Sequence, residues 1–343
     1  MTQKEYLKAL EDALNGIDPK DKEDLMADFK EHFEIGLSEG KSEQDIIDHL
    51  GPVKDLVESL DLKRLQTPKA TVLDHDQTIT DTVENIIIDG LHADVTLMAS
   101  DDEKTHVDYE ISRSVLGKLS TEVTTKQEGK TLTITVSSVN KLFKHSLDPV
   151  DLAVQIPASV KNLECKTASG DIQMDELAFE SLELHSISGD INADAIQAKK
   201  IKVIAVSGDT TLSDVQGELQ MKSVSGDIEI EDHEGEALSI ETVSGDIEYE
   251  GSAKDIRSNT TSGDACFKAE SIQALSVNTI SGDTELQLDL EGKGLTISFL
   301  SNSGELQIGD AEYDTPRHNQ SIVIGDGKIK VYLKSISGDF LIE

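Results

Sequence analysis

The sequence predicts a mainly β protein: a single-stranded parallel β-solenoid (β-helix) with a small N-terminal all-α bundle. Three observations carry this. The phrase Ser-Gly-Asp returns at a near-constant interval through the second half of the chain. The residues on either side of it alternate apolar and polar, the period of half-buried strands. The first 65 residues instead carry apolar side chains at helical spacing.

The repeat comes first. Gly170, Gly189, Gly208, Gly226, Gly245, Gly263, Gly282 and Gly338 each stand between Ser and Asp, and Gly304 stands between Ser303 and Glu305. The steps between these glycines are 19, 19, 18, 19, 18, 19, 22 and 34 residues. A fixed period near twenty marks a solenoid in which each repeat is one coil. Seven and five residues before the glycine stand apolar pairs such as Leu182/Leu184 and Ile201/Val203, and pairs such as Ile228/Ile230 stand two and four residues after it. Each coil therefore reads as two short strands joined at the glycine, where a tight bend needs a residue without a Cβ. The inward slot three residues before the glycine holds a small side chain throughout, from Thr167 and Ser186 to Ser335. That implies a bend too tight for anything larger.

Composition agrees. Aromatics are 3% of the 343 residues and there is no Trp, which suits a narrow interior filled by aliphatic and small side chains. A formal charge of -36 opposes binding to nucleic-acid phosphates and to anionic lipid. Cys165 and Cys266 fall five coils apart, about 24 Å at the usual strand spacing, beyond disulfide reach. The opening residues lack an apolar signal core, and no run approaches eighteen apolar residues, so the expected location is cytoplasmic with no membrane span.

In chain order, residues 1–65 predict three or four helices. Tyr6, Leu7, Leu10, Leu14 and Ile17 line the first, and Pro19 restarts a second along Leu25, Phe29 and Phe33. Ser42 caps a third through Asp45, with Ile46, Ile47 and Leu50 on its apolar side, and Gly51-Pro52 starts a fourth. Lys4-Glu5-Tyr6-Leu7, Asp28-Phe29-Lys30-Glu31-His32-Phe33, Gly40-Lys41-Ser42-Glu43-Gln44-Asp45-Ile46-Ile47 and Leu50-Gly51-Pro52 resemble the HAAS-type signalling domain of bacteria. The resemblance implies a module that acts through protein contacts, often beside membrane segments or envelope-stress modules, so a protein partner is expected through residues 1–65.

Residues 66–80 read as a polar linker. Residues 81–343 read as the solenoid, with 81–160 as irregular capping strands out of step with the repeat and 161–343 as the Ser-Gly-Asp coils. Asp151-Leu152-Ala153-Val154-Gln155-Ile156-Pro157, then Leu163-Glu164-Cys165-Lys166-Thr167-Ala168-Ser169-Gly170-Asp171-Ile172 and the repeats after it, resemble the bacterial putative-adhesin family of β-strand-repeat proteins. The likeness spans about residues 80–343 and implies the fold; its motif is weak evidence for any activity. Beyond Gly304 the interval nearly doubles, and Tyr313, Pro316, Arg317 and His318 interrupt the pattern. The last coil, ending at Glu343, is expected at a bare end of the stack. Either the 309–320 loop covers it as a lid, the favoured outcome, or it forms a homodimer through that end.

Asp171, Asp190, Asp209, Asp227, Asp246, Asp264 and Asp283, joined by Asp339 and Glu305, would form an acidic ladder about 4.8 Å apart. Such a row either holds cations or caps the bends by accepting backbone N–H bonds. Calcium-binding β-rolls use glycine-rich nonapeptide turns, and this chain has about one motif glycine per coil, so capping is the expected role and no metal or cofactor is expected. No catalytic site is expected either. The carboxylates lie in rows, Arg257 and Arg317 are isolated, and His32, His49, His106 and His318 read as surface residues. Gly292-Lys293-Gly294 and Gly325-Asp326-Gly327 read as turns without a following helix to receive a phosphate. The expected function is a non-catalytic scaffold, with a surface adhesin or glycan-binding solenoid as the alternative.

Overall fold

The computed structural model describes residues 1–14, 22, 26, 29–30, 33, 37, 41–54, 72–112, 121–138, 148–289, 292–313 and 320–343. Most of the expected second and fourth helices, and Pro316, Arg317 and His318, lie outside the described residues. The chain forms two compact units, one of residues 1–75, 110–122 and 137–150, the other of 76–109, 123–136 and 151–343.

In the first unit, helices α1 (Gln3–Ala13) and α2 (Glu43–Leu50) each begin with a capping box, Thr2 with Glu5 and Ser42 with Asp45. Their packing is apolar: Tyr6, Phe33, Ile46 and Ile47 are buried together, with the Tyr6 and Phe33 rings edge to face at 5.9 Å. The Tyr6 hydroxyl donates to the Gly51 carbonyl at 2.9 Å, so this buried polar atom is satisfied at the C-cap of α2.

The second unit is a parallel β-solenoid. Strand β1 (Val72–Ile79) occupies ground expected to be linker and pairs with β4 (Thr105–Ser112). The mostly polar sequence LDHDQT concealed it, because backbone pairing at the edge of a stack does not demand an apolar stripe. Strands β2 (Asn85–Asp89) and β3 (Ala93–Ala99) correct a second expectation. They are in phase with the repeat, Ile86 opposite Leu163 and Val95 opposite Ile172, with Ala93-Asp94 in the place of Gly-Asp. After β4 come β5 (Thr121–Glu128), β6 (Thr131–Ser138), β7 (Val150–Ile156) and β8 (Asn162–Thr167). β6 and β7 stack on the outer side of β2 and β3, so the chain lays down its second coil outside its first.

From there five long strands stack in sequence order: β9 (Ile172–Ser186), β10 (Ile191–Ala205), β11 (Thr210–Ser223), β12 (Ile228–Thr242) and β13 (Ile247–Thr260). Ile191 pairs with Ile172 on one side and Thr210 on the other. Each coil has three buried runs, not two. In β9 they are Ile172/Met174, Leu177/Phe179 and Leu182/Leu184/Ser186, separated by exposed pairs at 175–176 and 180–181. The first of these corners turns through a left-handed residue, Glu176 at φ 52°, matched by Ala195, Asp214 and Asp232 in the next coils. The middle run escaped the sequence reading because its corner carries no Gly or Pro signal.

The C-terminal part is β14 (Ala265–Glu270), β15 (Ala274–Asn278), β16 (Thr284–Asp289), β17 (Leu295–Leu300), β18 (Leu306–Ile308), β19 (Ala311–Tyr313), β20 (Gln320–Ile324), β21 (Ile329–Lys334) and β22 (Phe340–Ile342). Here the expected order fails. β21 pairs parallel with both β15 and β17, and β22 with both β16 and β18. The last coil of the sequence is therefore inserted between the coils of Gly282 and Gly304. The stack ends instead on β17 and β18, each met by an antiparallel strand: β20 on β17, β19 on β18. The physical reason is edge satisfaction: Val331, Leu333, Phe340 and Ile342 gain two parallel neighbours inside the stack and become fully buried.

Candidate functional site

The Ser-Gly-Asp corner is one continuous feature along the solenoid, built by three hydrogen-bond ladders. In the carboxylate ladder each Asp accepts, at Oδ1, the backbone N–H of the Asp in the neighbouring coil. It runs from Asp94 to Asp171 at 3.0 Å, then through Asp190, Asp209, Asp227, Asp246, Asp264 and Asp283 at 2.8–2.9 Å. It ends through Asp339 to the N–H of Glu305, at 2.9 and 2.8 Å. The Asp residues cap the next coil and not their own bend. This relieves the like-charge row, since each carboxylate meets a donor.

The serines make the second ladder. Ser207 donates both N–H and Oγ to the Ile187 carbonyl at 3.0 Å, and Ser225, Ser244, Ser262 and Ser337 use the same pair of donors on the coil before them in space. The third ladder is internal: the buried Ser186 hydroxyl accepts from Gly189 N–H at 2.9 Å and donates to the Gly189 carbonyl at 2.6 Å. Ser223 repeats this pair, and Ser301 and Ser335 accept from Gly304 and Gly338. The small inward slot thus serves a hydroxyl as well as a tight fit.

The glycine is needed for close approach. A Cβ at Gly189 would overlap the carbonyl oxygen of Gly170, and one at Gly208 that of Gly189. Only Gly245, Gly263 and Gly282 among the corner glycines also use positive φ. Gly226, Gly304 and Gly338 share the same crowding against the glycine of the adjacent coil, and Gly170 meets Ala93.

Sequence reasoning missed what the corner presents outward. The residue just before Ser-Gly-Asp is Ile187, Val206, Val224, Val243, Ile280 or Ile336, each 38–54% exposed, with the exposed Thr261 between Val243 and Ile280. The hydrogen bonds from Ser207 N to Ile187 O through Ser337 N to Ile280 O place these side chains in consecutive coils, as an aliphatic ridge. The signal was in the sequence: β-branched residues at one fixed offset from each motif.

Along the Asp row, from each Asp onto the start of the strand that follows it, lies a groove of about 680 Å³ over residues 227–341. Its outer wall adds Glu229, Glu248 and Glu285, and among its described lining residues there is no lysine or arginine. Lys268, at its margin, reaches Glu248 and Glu250 at 3.4 and 3.5 Å. Cys266 sits half-buried in the groove, and burial followed by the charge of Glu285 pushes its thiol pKa up. Cys165 is fully buried, its pKa pushed up to about 12 by that burial. Both cysteines are free. Among the described residues no cluster of three or more His, Cys, Asp or Glu has the geometry to hold a metal.

Lysines elsewhere are tied into pairs across coils. Lys202 meets Glu183 at 2.5 Å and Lys222 meets Glu241 at 2.6 Å, on the face on the other side of the corner. Arg257 pairs with Asp255 at 3.0 Å, and His106 lies 3.0 Å from Asp102. A histidine that the sequence did not single out is inside: His233 is buried in the middle run of β12, its Nδ1 3.2 Å from the Tyr249 hydroxyl and its Nε2 3.0 Å from the Gly217 carbonyl. Burial lowers its pKa and raises that of Tyr249. The two expected turns meet: Asp326 accepts from Gly294 N–H at 2.7 Å and pairs with Lys328, which brings its pKa down to about 2.

Comparison with known proteins places both parts. The structure of a Parabacteroides distasonis protein named "putative lipid binding protein" is 17% identical, covering 79% of this chain and 97% of that one with a TM-score of 0.50. It shows the shared fold alone. A Parabacteroides merdae protein named "putative adhesin" is 13% identical over 79% of this chain and 96% of that one, with a TM-score of 0.48. No curated protein matches the chain. The HAAS family model matches residues 5–59. No helix among the described residues is long and apolar enough to cross a membrane. The Toastrack DUF4097 model matches residues 146–250 and 219–343, over half of the chain, and the chain belongs to that family.

Proposed function

We propose that the protein is a non-catalytic interaction scaffold with a bacterial signalling role, joining a partner-binding helical module to a rigid solenoid face. The observation that carries this is the corner itself. Its carboxylates, hydroxyls and glycines are spent on holding one coil against the next, and what is left facing outward is a regular surface of aliphatic and acidic side chains. Regular, rigid and extended surfaces of this kind suit binding, since little ordering is required when a partner docks. The HAAS match supports a protein-contact role for residues 5–59 and a link to envelope-stress signalling. A cytoplasmic location goes with that link. The alternative is a surface adhesin or glycan binder, as the name of the Parabacteroides merdae neighbour suggests for that protein.

The test is a crosslinking pulldown from the native cells with the full chain as bait, repeated with charge reversals at Lys4, Lys8 and Lys30. Specific capture lost in the reversed variants supports the scaffold. Recovery of the protein on intact cells, degraded by added protease, favours the adhesin instead.

A further inference from the structure

The aliphatic ridge is unusual on so acidic a surface. Six Val or Ile side chains stand in consecutive coils with one Thr among them, each well exposed and none part of the core. Contiguous apolar surface of this sort marks a docking site more often than chance exposure does. From Ile187 to Ile336 there are six coil steps, about 29 Å at the usual strand spacing of about 4.8 Å. The carboxylates of the groove recur in the same coils; Lys268 at the margin reaches one of them, Glu248, at 3.4 Å, while Lys202 and Lys222 pair with Glu183 and Glu241 outside it.

We propose that this ridge and groove dock a cationic amphipathic α-helix of a partner protein, laid along the solenoid axis. This rests on the scaffold function above and names the partner class for its solenoid face. Three features select the occupant. Charge complementarity asks for lysines or arginines flanking an apolar stripe, because nine carboxylates line the groove without a basic residue among the described lining. The same charge disfavours a second copy of this chain, whose formal charge is -36, and an anionic lipid surface. Period selects the helix: its turns rise about 5.4 Å, close to the coil spacing of about 4.8 Å, whereas same-face residues of an extended strand recur every 6.6–6.8 Å and lose register within about two coils. A helix of about 20 residues covers the ridge.

The test uses the full chain and a fluorescent 20-residue peptide with leucines at helical spacing flanked by lysines, followed by anisotropy at 50 and 150 mM salt. A control peptide has the same composition in scrambled order. In the protein, Val224→Thr, Val243→Thr and Ile280→Thr together keep the β-branched shape that Thr261 already shows to fit the row, and Glu229→Gln, Glu248→Gln and Glu285→Gln remove groove charge outside the Asp ladder. The proposal expects the patterned peptide to bind at least tenfold tighter than the scrambled one. The Thr variant should lose about tenfold in affinity with an unchanged melting temperature, and the Gln variant, which removes three of the nine groove carboxylates, should lose about a third of the salt dependence. Equal binding of both peptides, or wild-type affinity in the Thr variant, overturns it. So does a concentration-dependent dimer that the Thr substitutions abolish, since the ridge would then belong to a second copy. Failure here with pulldown capture through the helical module intact removes the ridge proposal and leaves the scaffold standing.

Discussion

The middle of the solenoid and its C-terminal end use the same corner and obey different rules of order. From β9 to β13 every coil stacks on its neighbour in sequence, Ile191 on Ile172 and Ile247 on Ile228. Past β15 and β16 the next coil in space is the last in sequence, with Asp339 bonded through its N–H to Asp283, 56 residues away. The corner is chemically the same in both places. What the difference teaches is that Ser-Gly-Asp specifies how a coil docks but not which coil it docks on. That choice falls to the connections and to which edge is left open. The C-terminal steps of 22 and 34 residues exceed the usual 19 by 3 and 15, and the surplus of 15 between Gly304 and Gly338 supplies the antiparallel strands β19 and β20.

The largest effect should come from separating chain order from spatial order. Deleting 329–343 removes a coil that is sandwiched on both faces and buries Val331, Leu333, Phe340 and Ile342. At roughly 1.5–3 kcal/mol per buried side chain, the strands from β16 onward should lose their protection, read as fast hydrogen exchange and proteolysis across 284–313. Replacing 290–327 by a short Gly/Ser linker deletes more residues, yet leaves β21 and β22 on β15 and β16 and should keep a cooperative transition. If the shorter deletion proves the milder one, the inserted coil is wrong.

Glycine replacement should come next. Gly208→Ala drives a Cβ into the Gly189 carbonyl and should cost about 3 kcal/mol, near the upper range for overpacking, because backbone cannot yield as a side chain can. Gly309→Ala, in the β18–β19 hairpin at φ 55° with open space around it, should cost only about 1 kcal/mol of left-handed strain. Chemical denaturation of the two variants compares them directly, and equal costs would remove close approach as the reason for the motif glycine.

Smaller still is the carboxylate ladder. Asp209→Ala leaves the Asp227 N–H without its 2.9 Å partner and should cost about 1 kcal/mol, whereas Asp209→Asn keeps the Oδ1 acceptor and should be close to neutral. The same change at Asp283 should cost a similar amount while loosening the backbone at 337–340 selectively by hydrogen exchange, because its bond holds the inserted coil. Loosening at 284–305 alone would place the wrong neighbour on Asp283.

Much of this was legible because the corner repeats with little variation. Period, alternation, the small inward slot and the capping box at Ser42 can all be read from residue type and spacing, since each is imposed by local geometry. Three things could not be. Ala93-Asp94 does the work of Gly-Asp without the glycine, so the coil of β2 and β3 hides from a motif search. The left-handed corners fall on Glu176, Ala195, Asp214 and Asp232, none of them Gly or Pro and differing from coil to coil, and they are held there by the stack around them. The inserted coil depends on contacts between distant segments, which no local pattern encodes.

The middle region also holds an irregularity of its own, which gives the smallest and most specific effect. In the run where β9 places Leu177, β12 places His233, facing Gly251 in the next coil and bonded to Tyr249 and Gly217. Its folded pKa lies below the usual 6.5 because burial disfavours the imidazolium, so the unfolded chain binds the proton more readily than the folded one. Stability from this residue is complete above about pH 6.5 and is lost as the pH falls below it toward the lowered folded value. The loss can be no steeper than about 1.4 kcal/mol per pH unit for one proton. His233→Leu abolishes that proton uptake and leaves the Tyr249 hydroxyl without its partner. The variant should be less stable than the parent at pH 8, and the gap should narrow between pH 6.5 and 5. The carboxylates titrate in both proteins and cancel in the difference. A gap that stays constant across that range would mean that the imidazole is protonated inside the solenoid, and that the coil tolerates charge where β9 holds Leu177.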